Sequence, residues 1–248
     1  VGTANIWLLA VGGESSERFT FSSSFDHYAV WSPDGGRIAF DTQRNGPADI
    51  YLKAVGGGAD EEPLLRSAEA KSPTDWSPDG RTLVYERLDP KTKSDLWILP
   101  LEGDRTPVPL IRTEFNEVDG RISPNGHWIA YSSDDSGRWE VYVASFPKPT
   151  GRWQVSSGGG SQPVWRSNGT ELFYLGADRK LMAVPVTLGA RFEAGPPRVL
   201  FPTRSRYTGN FAYDVSADGQ RFLVNTLVGA EAMPPIAVVL NWHTELTK

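Results

Sequence analysis

The sequence predicts an all-β protein built from repeated four-stranded antiparallel sheets, a β-propeller. A five-residue turn phrase occurs five times, as Trp31-Ser32-Pro33-Asp34-Gly35, Trp76-Ser77-Pro78-Asp79-Gly80, Ile122-Ser123-Pro124-Asn125-Gly126, Trp165-Arg166-Ser167-Asn168-Gly169 and Val215-Ser216-Ala217-Asp218-Gly219. Its Asp or Asn stands at positions 34, 79, 125, 168 and 218, so the intervals are 45, 46, 43 and 50 residues. Repeats of this length, with turn residues at a fixed position, are typical of propeller blades.

The segments after each phrase supply the strands of the repeat. Runs rich in β-branched and aromatic residues follow directly, over 37–40, 82–85, 128–131, 172–174 and 222–224. Such runs, bounded by turn residues and too short for helices, indicate strands. After a polar loop comes a third strand, over 5–8, 49–52, 95–98, 140–143, 180–183 and 236–239, and outer strands are predicted at 18–20 and 63–66.

The residues of the turn phrase each suit a tight turn. Proline favours the first central position, an Asp or Asn side chain can accept a hydrogen bond from the backbone ahead, and Gly adopts positive φ without steric cost. The Trp before the turn ends the innermost strand, where a large ring can fill the wedge between neighbouring sheets. We therefore predict that Trp31, Trp76 and Trp165 lie in the cores of their blades and that the turn Asp residues are structural.

The repeat count predicts one domain with an incomplete first blade. Six third strands but only five turn phrases are present. We expect one propeller over 1–248 with blades at approximately 1–22, 23–68, 69–114, 115–157, 158–203 and 204–248, the first lacking its two inner strands because the chain is truncated at its N-terminus. The last strand, 236–242, should lie near the first hairpin and close the ring, because open sheet edges invite aggregation. The alternative is five blades plus an N-terminal hairpin.

Composition excludes several classes of function. The net charge is −5, with 25 basic and 30 acidic residues, so there is no basic stripe to bind nucleic acid. The chain has no Cys, and its longest apolar run, 6–11, is far shorter than the roughly 20 residues of a membrane helix. We expect a monomer that neither inserts into a membrane nor binds nucleic acid, and we predict no cofactor, no metal site and no catalytic residue.

Beyond the turn phrase, the strands at 37–40 and 49–52 make the chain resemble the TolB-like, WD-like β-propeller repeat family over nearly its whole length. The second half, at 140–143, 151–156, 171–174, 213–216 and 238–242, is most similar to the C-terminal propellers of bacterial membrane-anchored serine/threonine kinases and related TolB-like proteins. No kinase motif itself occurs in the sequence. The resemblance implies an extracytoplasmic location, in the periplasm or at the cell surface, and a role as a sensor or protein-binding domain.

The candidate site follows from propeller geometry. The innermost strands converge at one mouth of the central channel, and a concave place with a few polar groups is the default binding site. The polar residues at the starts of these strands are Asp26, His27, Ser72, Asp119, Gln162 and Asn210. We expect this ring to bind a protein, a peptide or a small polar ligand, with His27 its most informative member.

Two further interpretations concern chemistry. The leading function is a non-enzymatic binding scaffold of a larger bacterial protein, and the alternative is a lactonase-like or lyase-like propeller enzyme, or an accessory domain of a peptidase, with its active site at the channel mouth. The segment from Gly158 to Ser161 has the composition of a phosphate-binding loop, but a strand rather than a helix follows it. We interpret this segment as a flexible hairpin tip.

Overall fold

The structure, a computed structural model, describes residues 3–10, 12, 15–56, 60–205 and 211–226, and the backbone of 236–240. These residues form 22 strands and no helix, which confirms the predicted all-β fold class. No helix of the described residues is long and apolar enough to cross a membrane.

The first of two compact units, Val1–Pro109, contains three antiparallel sheets. A two-stranded sheet comes first, and two four-stranded sheets follow, each with its strands in sequential order. The strands are β1 (Trp7–Leu9) and β2 (Ser16–Arg18); β3 (Asp26–Trp31), β4 (Arg37–Thr42), β5 (Asp49–Ala54) and β6 (Glu62–Leu65); and β7 (Lys71–Trp76), β8 (Thr82–Asp89), β9 (Lys93–Pro100) and β10 (Val108–Ile111), the last at the division between the units.

The second unit, Leu110–Lys248, contains the remaining sheets. Their strands are β11 (Glu117–Ile122), β12 (Trp128–Ser133), β13 (Glu140–Ser145) and β14 (Arg152–Gln154); β15 (Gly160–Trp165), β16 (Glu171–Gly176), β17 (Lys180–Leu188), β18 (Phe192–Ala194) and β19 (Arg198–Pro202); and β20 (Tyr213–Val215), β21 (Arg221–Asn225) and β22 (Ile236–Leu240). The six sheets agree with the predicted number, and the first has two strands, as expected for a blade without its inner pair.

The main differences between the predicted and the observed strands lie in the first hairpin and in β17. The first hairpin has its strands two residues away from the predicted positions, at Trp7–Leu9 and Ser16–Arg18. The strand predicted at 180–183 continues to Leu188, and its second half pairs with β18, which was not predicted. Phe192 anchors this extra strand, because its buried ring lies 5.8 Å from that of Trp128 and 6.0 Å from that of Trp153.

The repeated turn has the hydrogen bonds that its residue types predict. In the first copy, the Ser32 hydroxyl donates to Asp34 Oδ1 at 2.5 Å, and the same oxygen accepts from the backbone N–H of Gly36 at 3.0 Å. The backbone N–H of Arg37 donates to Ser32 Oγ at 2.9 Å, and Gly35 has a φ of 68°. These contacts lower the pKa of the Asp34 carboxyl, with the Ser32 hydroxyl as the largest cause. The turn Asp is therefore structural, as predicted.

The tryptophans before the turn differ in burial, and one prediction about them is wrong. Trp76 and Trp165 are buried, but Trp31 is 50% exposed. Trp76 packs with Val30 and Ile50, which belong to β3 and β5 of the preceding sheet. The sheet that precedes Trp31 has only β1 and β2, so the strands that would cover its ring in the same way are missing among the described residues.

Candidate functional site

In the first unit, the predicted residues Asp26, His27 and Ser72 lie where the first strands of their sheets begin. Asp26 is buried, and neither of its carboxylate oxygens accepts a hydrogen bond from the described residues, although Arg44 Nη2 lies 3.6 Å from Oδ1. The Ser72 hydroxyl donates to Oδ2 of Asp41 at 3.1 Å, and Asp41 Oδ1 is buried without a donor. The carboxylates of Asp26 and Asp41 are therefore both buried with few hydrogen bonds, and they lie beside His27 and Ser72.

The carboxyl of Asp41 in this cluster has a strongly raised pKa. Burial, with a smaller contribution from the charge of Asp26, raises its pKa to about 7, against the hydrogen bonds from Ser72 and from the backbone of His27. The His27 ring is partly exposed and stacks on Phe25, with the ring centroids 5.7 Å apart. Sequence reasoning missed Asp41 because it stands at the end of β4, and only the starts of the first strands were considered.

Three of the five first strands, β3, β11 and β15, share a backbone feature that the sequence did not reveal. Tyr28, Asp119 and Gln162 have φ values of 47°, 57° and 55°, and each is the third residue of its strand, where the pairing register shifts. Left-handed backbone at residues other than Gly or Asn carries strain, which the surrounding structure must overcome. The predicted residues thus occupy three different positions of the repeat: Asp26 the first, His27 and Ser72 the second, and Asp119 and Gln162 the third.

In the second unit, Asp119 and Gln162 belong to a buried network. Asp119 Oδ2 accepts from the Ser132 hydroxyl at 2.8 Å and from the backbone N–H of Gln162 at 3.2 Å. Burial raises the pKa of the Asp119 carboxyl. The Gln162 side-chain oxygen accepts from the backbone N–H of Ala212 at 2.8 Å, and its backbone oxygen accepts from the Tyr213 hydroxyl at 2.8 Å. This network joins neighbouring sheets. Asn210 lies outside the described residues.

Next to Gln162 the second unit has a cavity of about 670 Å³, within the usual range for ligand pockets. It opens where β15 begins, at the end of the sheet that the sequence predicted for the site. Its lining comprises Arg138, Trp139, Gly159, Gly160, Ser161, Leu175, Gly176, Ala177, Arg179 and Ser205. We call it the first cavity.

The two arginines of the first cavity differ in their partners. Arg138 Nε donates to Glu140 Oε1 at 2.7 Å, and its Nη2 donates to the Ser157 backbone oxygen at 2.8 Å, so its charge is compensated and its position is held. Arg179 is exposed and has no ion pair or side-chain hydrogen bond among the described residues. The cavity therefore carries one uncompensated positive charge.

A second cavity of about 640 Å³ shares Gly159, Gly176 and Ala177 with the first. Its other lining residues are Ser157, Gly158, Tyr174, Asp178, Met182, Pro197 and Val199. The one charged group here, the carboxylate of Asp178, forms an ion pair with Lys180 Nζ at 2.8 Å. The second cavity is therefore mainly apolar, with its charge compensated.

The glycine segment between the cavities is not a hairpin tip, so that interpretation was wrong. It connects β14 of one sheet to β15 of the next, and it packs closely. A Cβ at Gly159 would lie 2.6 Å from the Cβ of Ala177, and a Cβ at Gly160 would lie 2.8 Å from Ser156 Oγ. Glycine is required here by close approach, and the segment forms a wall of both cavities.

Sequence reasoning missed Arg138, Trp139 and Arg179, because all three lie in loops between second and third strands. A signal was available, since an antiparallel second strand ends where the first strand begins, and so its loop must lie at the same end. Among the described residues, no group of three His, Cys, Asp or Glu side chains is placed to hold a metal ion.

Similarity to known proteins is weak in sequence. No protein-family model matches the chain. A curated Bacillus subtilis (strain 168) protein, described as the uncharacterized peptidase YuxL, is 25% identical over 183 residues, which make up 57% of this chain and 28% of that protein. The chain therefore spans less than a third of this relative.

Similarity in structure is much stronger. TolB from Acinetobacter baumannii matches with a TM-score of 0.73 at 17% identity, over 92% of this chain and 55% of that one. A putative TolB from Agrobacterium tumefaciens matches with a TM-score of 0.60 at 20% identity, over 75% of this chain and 69% of that one. At these identities the likeness concerns the fold. The chain therefore has a β-propeller fold of the kind found in TolB.

Proposed function

We propose that this propeller is a non-enzymatic binding scaffold, a sensor or protein-interaction domain of a larger bacterial protein. Its partner would bind at the end of the sheets where the first strands begin. The first cavity is the observation that carries the proposal, because it combines a suitable volume with polar groups at this end of the second unit. The resemblance to TolB-like propellers supports an extracytoplasmic location.

The lining of the first cavity favours binding over catalysis. Among its described lining residues there is no His, Cys, Asp or Glu that could act as a general base or acid. The Ser161 hydroxyl lies there without a base beside it, and an unactivated serine is a weak nucleophile. Two arginines, a hydroxyl and apolar surface can hold a ligand without transforming it.

The test is a thermal-shift screen with peptide and saccharide panels. Each hit is repeated with Ser161→Gln, which lengthens a side chain in the cavity, and with Thr187→Gln, which lengthens an exposed side chain elsewhere in the same sheet. We expect the shift to be lost in the first variant and kept in the second. The opposite pattern would place binding at the hairpin of β17 and β18 instead. His27→Ala, measured alongside, tests whether the first unit contributes.

A second candidate is an accessory domain of a larger peptidase, and the similarity to YuxL favours it. This function predicts no activity for the chain alone and hydrolase activity for the protein that contains it. Labelling with a fluorophosphonate probe, which reacts with active serines, distinguishes the two candidate functions. Labelling of the isolated 248-residue chain would contradict the non-enzymatic scaffold.

A further inference from the structure

The first and second cavities of the second unit are neighbours, and we call the two together the groove. They have Gly159, Gly176 and Ala177 in common, so they meet along these residues. The wall there is low, because two of the three residues have no side chain and the third ends at Cβ. Because Ala177 is exposed, an extended ligand that lies over it would contact both cavities.

The charges of the groove are asymmetric. In the first cavity, the guanidinium of Arg179 has no ionic partner among the described residues, and Arg138 is compensated by the buried Glu140. In the second cavity, the carboxylate of Asp178 is compensated by Lys180. Among the described lining residues, the one charge without an ionic partner is thus the positive charge of Arg179, in the first cavity.

The backbone that carries Arg179 is fixed in an unusual conformation. Its φ is 63°, in the left-handed region. Its backbone N–H donates to the Gly176 oxygen at 2.9 Å, and its carbonyl oxygen accepts from both the backbone N–H and the hydroxyl of Thr203 at 2.8 Å. These three hydrogen bonds fix the backbone of Arg179, and with it the direction in which the side chain leaves the chain beside the first cavity.

The opposite end of the groove is apolar. Tyr174, Met182, Pro197 and Val199 line the second cavity, and Val199 is 45% exposed. Apolar side chains of this kind suit an aliphatic or aromatic side chain. A saccharide would instead need several convergent hydrogen-bonding groups, and the described lining of the second cavity offers few.

We propose that the groove binds an extended peptide segment that carries a carboxylate close to an apolar side chain. The carboxylate pairs with the Arg179 guanidinium and accepts a hydrogen bond from the Ser161 hydroxyl in the first cavity. The apolar side chain lies against Met182 and Val199 in the second cavity. This inference rests on the proposed binding function and specifies the ligand class for the same site.

The experiment uses acetylated tetrapeptides that place Leu, Met or Phe at each position in turn. Each is made with a free C-terminal carboxylate, with a C-terminal amide and one internal glutamate, or with a C-terminal amide and no acid. Dissociation constants are measured by isothermal titration calorimetry. The two acidic versions distinguish a chain terminus from an acidic side chain as the source of the carboxylate.

We expect at least one acidic version to bind about tenfold more tightly than the neutral one, since a charge-assisted hydrogen bond has about this effect on affinity. Arg179→Gln should remove that advantage, because it keeps a long side chain on the strained backbone but loses the charge. Arg191→Gln is the matched control, since it removes an exposed arginine outside the groove. It should leave the constants unchanged.

Two results would overturn the inference in distinguishable ways. If neutral and acidic peptides bind equally and Arg179→Gln has no effect, the ligand class is wrong, while the binding function stands. If no version binds at millimolar concentration, the proposed function of the groove fails as well. A further variant, Ala177→Phe, blocks the passage between the cavities and should weaken the best peptide at least tenfold. Unchanged affinity there would contradict binding across both cavities.

Discussion

Trp31 and Trp76 occupy the same position of the repeated turn in successive sheets, but they differ in burial. Trp76 is 5% exposed and packs with Val30, Ala39 and Ile50, whereas Trp31 is 50% exposed. Trp76 also donates from Nε1 to the backbone oxygen of Gly80 at 3.0 Å. Replacing each by alanine therefore tests whether packing between sheets, rather than the turn motif itself, stabilises the fold.

The magnitude for Trp76→Ala follows from buried area. A buried aromatic side chain removes about 150–250 Å² from water, and at about 25 cal/mol per Å² this corresponds to about 4–6 kcal/mol. Alanine retains part of that burial, so the expected loss in unfolding free energy is about 3–5 kcal/mol. Trp31→Ala should cost less than about 1 kcal/mol, since changes at exposed positions have small effects.

The assay is urea unfolding followed by circular dichroism, with the midpoint and slope compared between variants. For a chain of this size, 1 kcal/mol corresponds to about 2–4 °C in Tm, so Trp76→Ala should melt roughly 6–20 °C below the wild type. Equal losses in the two variants would refute the reasoning, because they would show that the ring acts through the turn and not through the preceding sheet.

Three further predictions concern stability. The pKa of Asp41 is raised from 3.8 to about 7, so the folded state holds an extra proton between these values, and stability falls as pH rises through this window. The free energy of unfolding should therefore be about 2–3 kcal/mol higher at pH 5 than at pH 8. Asp41→Asn should remove that difference. If the free energy of unfolding depends on pH in the same way in Asp41→Asn as in the wild type, the pKa of Asp41 is not raised. Gln162→Ala should lower the free energy of unfolding in urea by about 1–3 kcal/mol, because it leaves the buried N–H of Ala212 without its acceptor. An unchanged free energy of unfolding would restore Gln162 as a candidate ligand contact. Asp79→Ala should cost about 1 kcal/mol by the same measurement, since Asp79 Oδ1 accepts from Ser77 and from the backbone of Arg81, and a loss above about 3 kcal/mol would indicate a larger role than the turn.

The fold could be predicted because its signal is repeated. Turn residues such as Asp34 and Gly35 act through contacts within a few residues, and the same local chemistry recurs at Asp79 and Asp218. The burial of a side chain is harder to predict than a turn, because it depends on the neighbouring sheet. Trp31 has the same local sequence as Trp76, and only the two-stranded sheet before it explains its exposure.

Strand order indicates which residues lie at one end of a sheet, but the lining of the first cavity was not predictable from the sequence. The cavity beside Ser161 lies at the end of the sheet where the first strand begins, and the prediction that this end binds a ligand stays a prediction. The groups that line the cavity, such as Arg138 and Arg179, come from loops whose side-chain directions no periodicity indicates. Gln162 was chosen as an available polar group, yet its side-chain oxygen accepts a hydrogen bond from the next sheet.

The most direct test of the binding groove is a map of backbone amide shifts. The chain is labelled with nitrogen-15 and titrated with the tightest acidic tetrapeptide, and the perturbed amides are assigned. We expect the largest shifts on Gly159, Gly160 and Ser161 and on residues 175–179, and we expect Arg179→Gln to raise the peptide concentration that produces them about tenfold. Shifts concentrated on the outer strands β14 and β19, with residues 159–161 unchanged, would contradict this expectation.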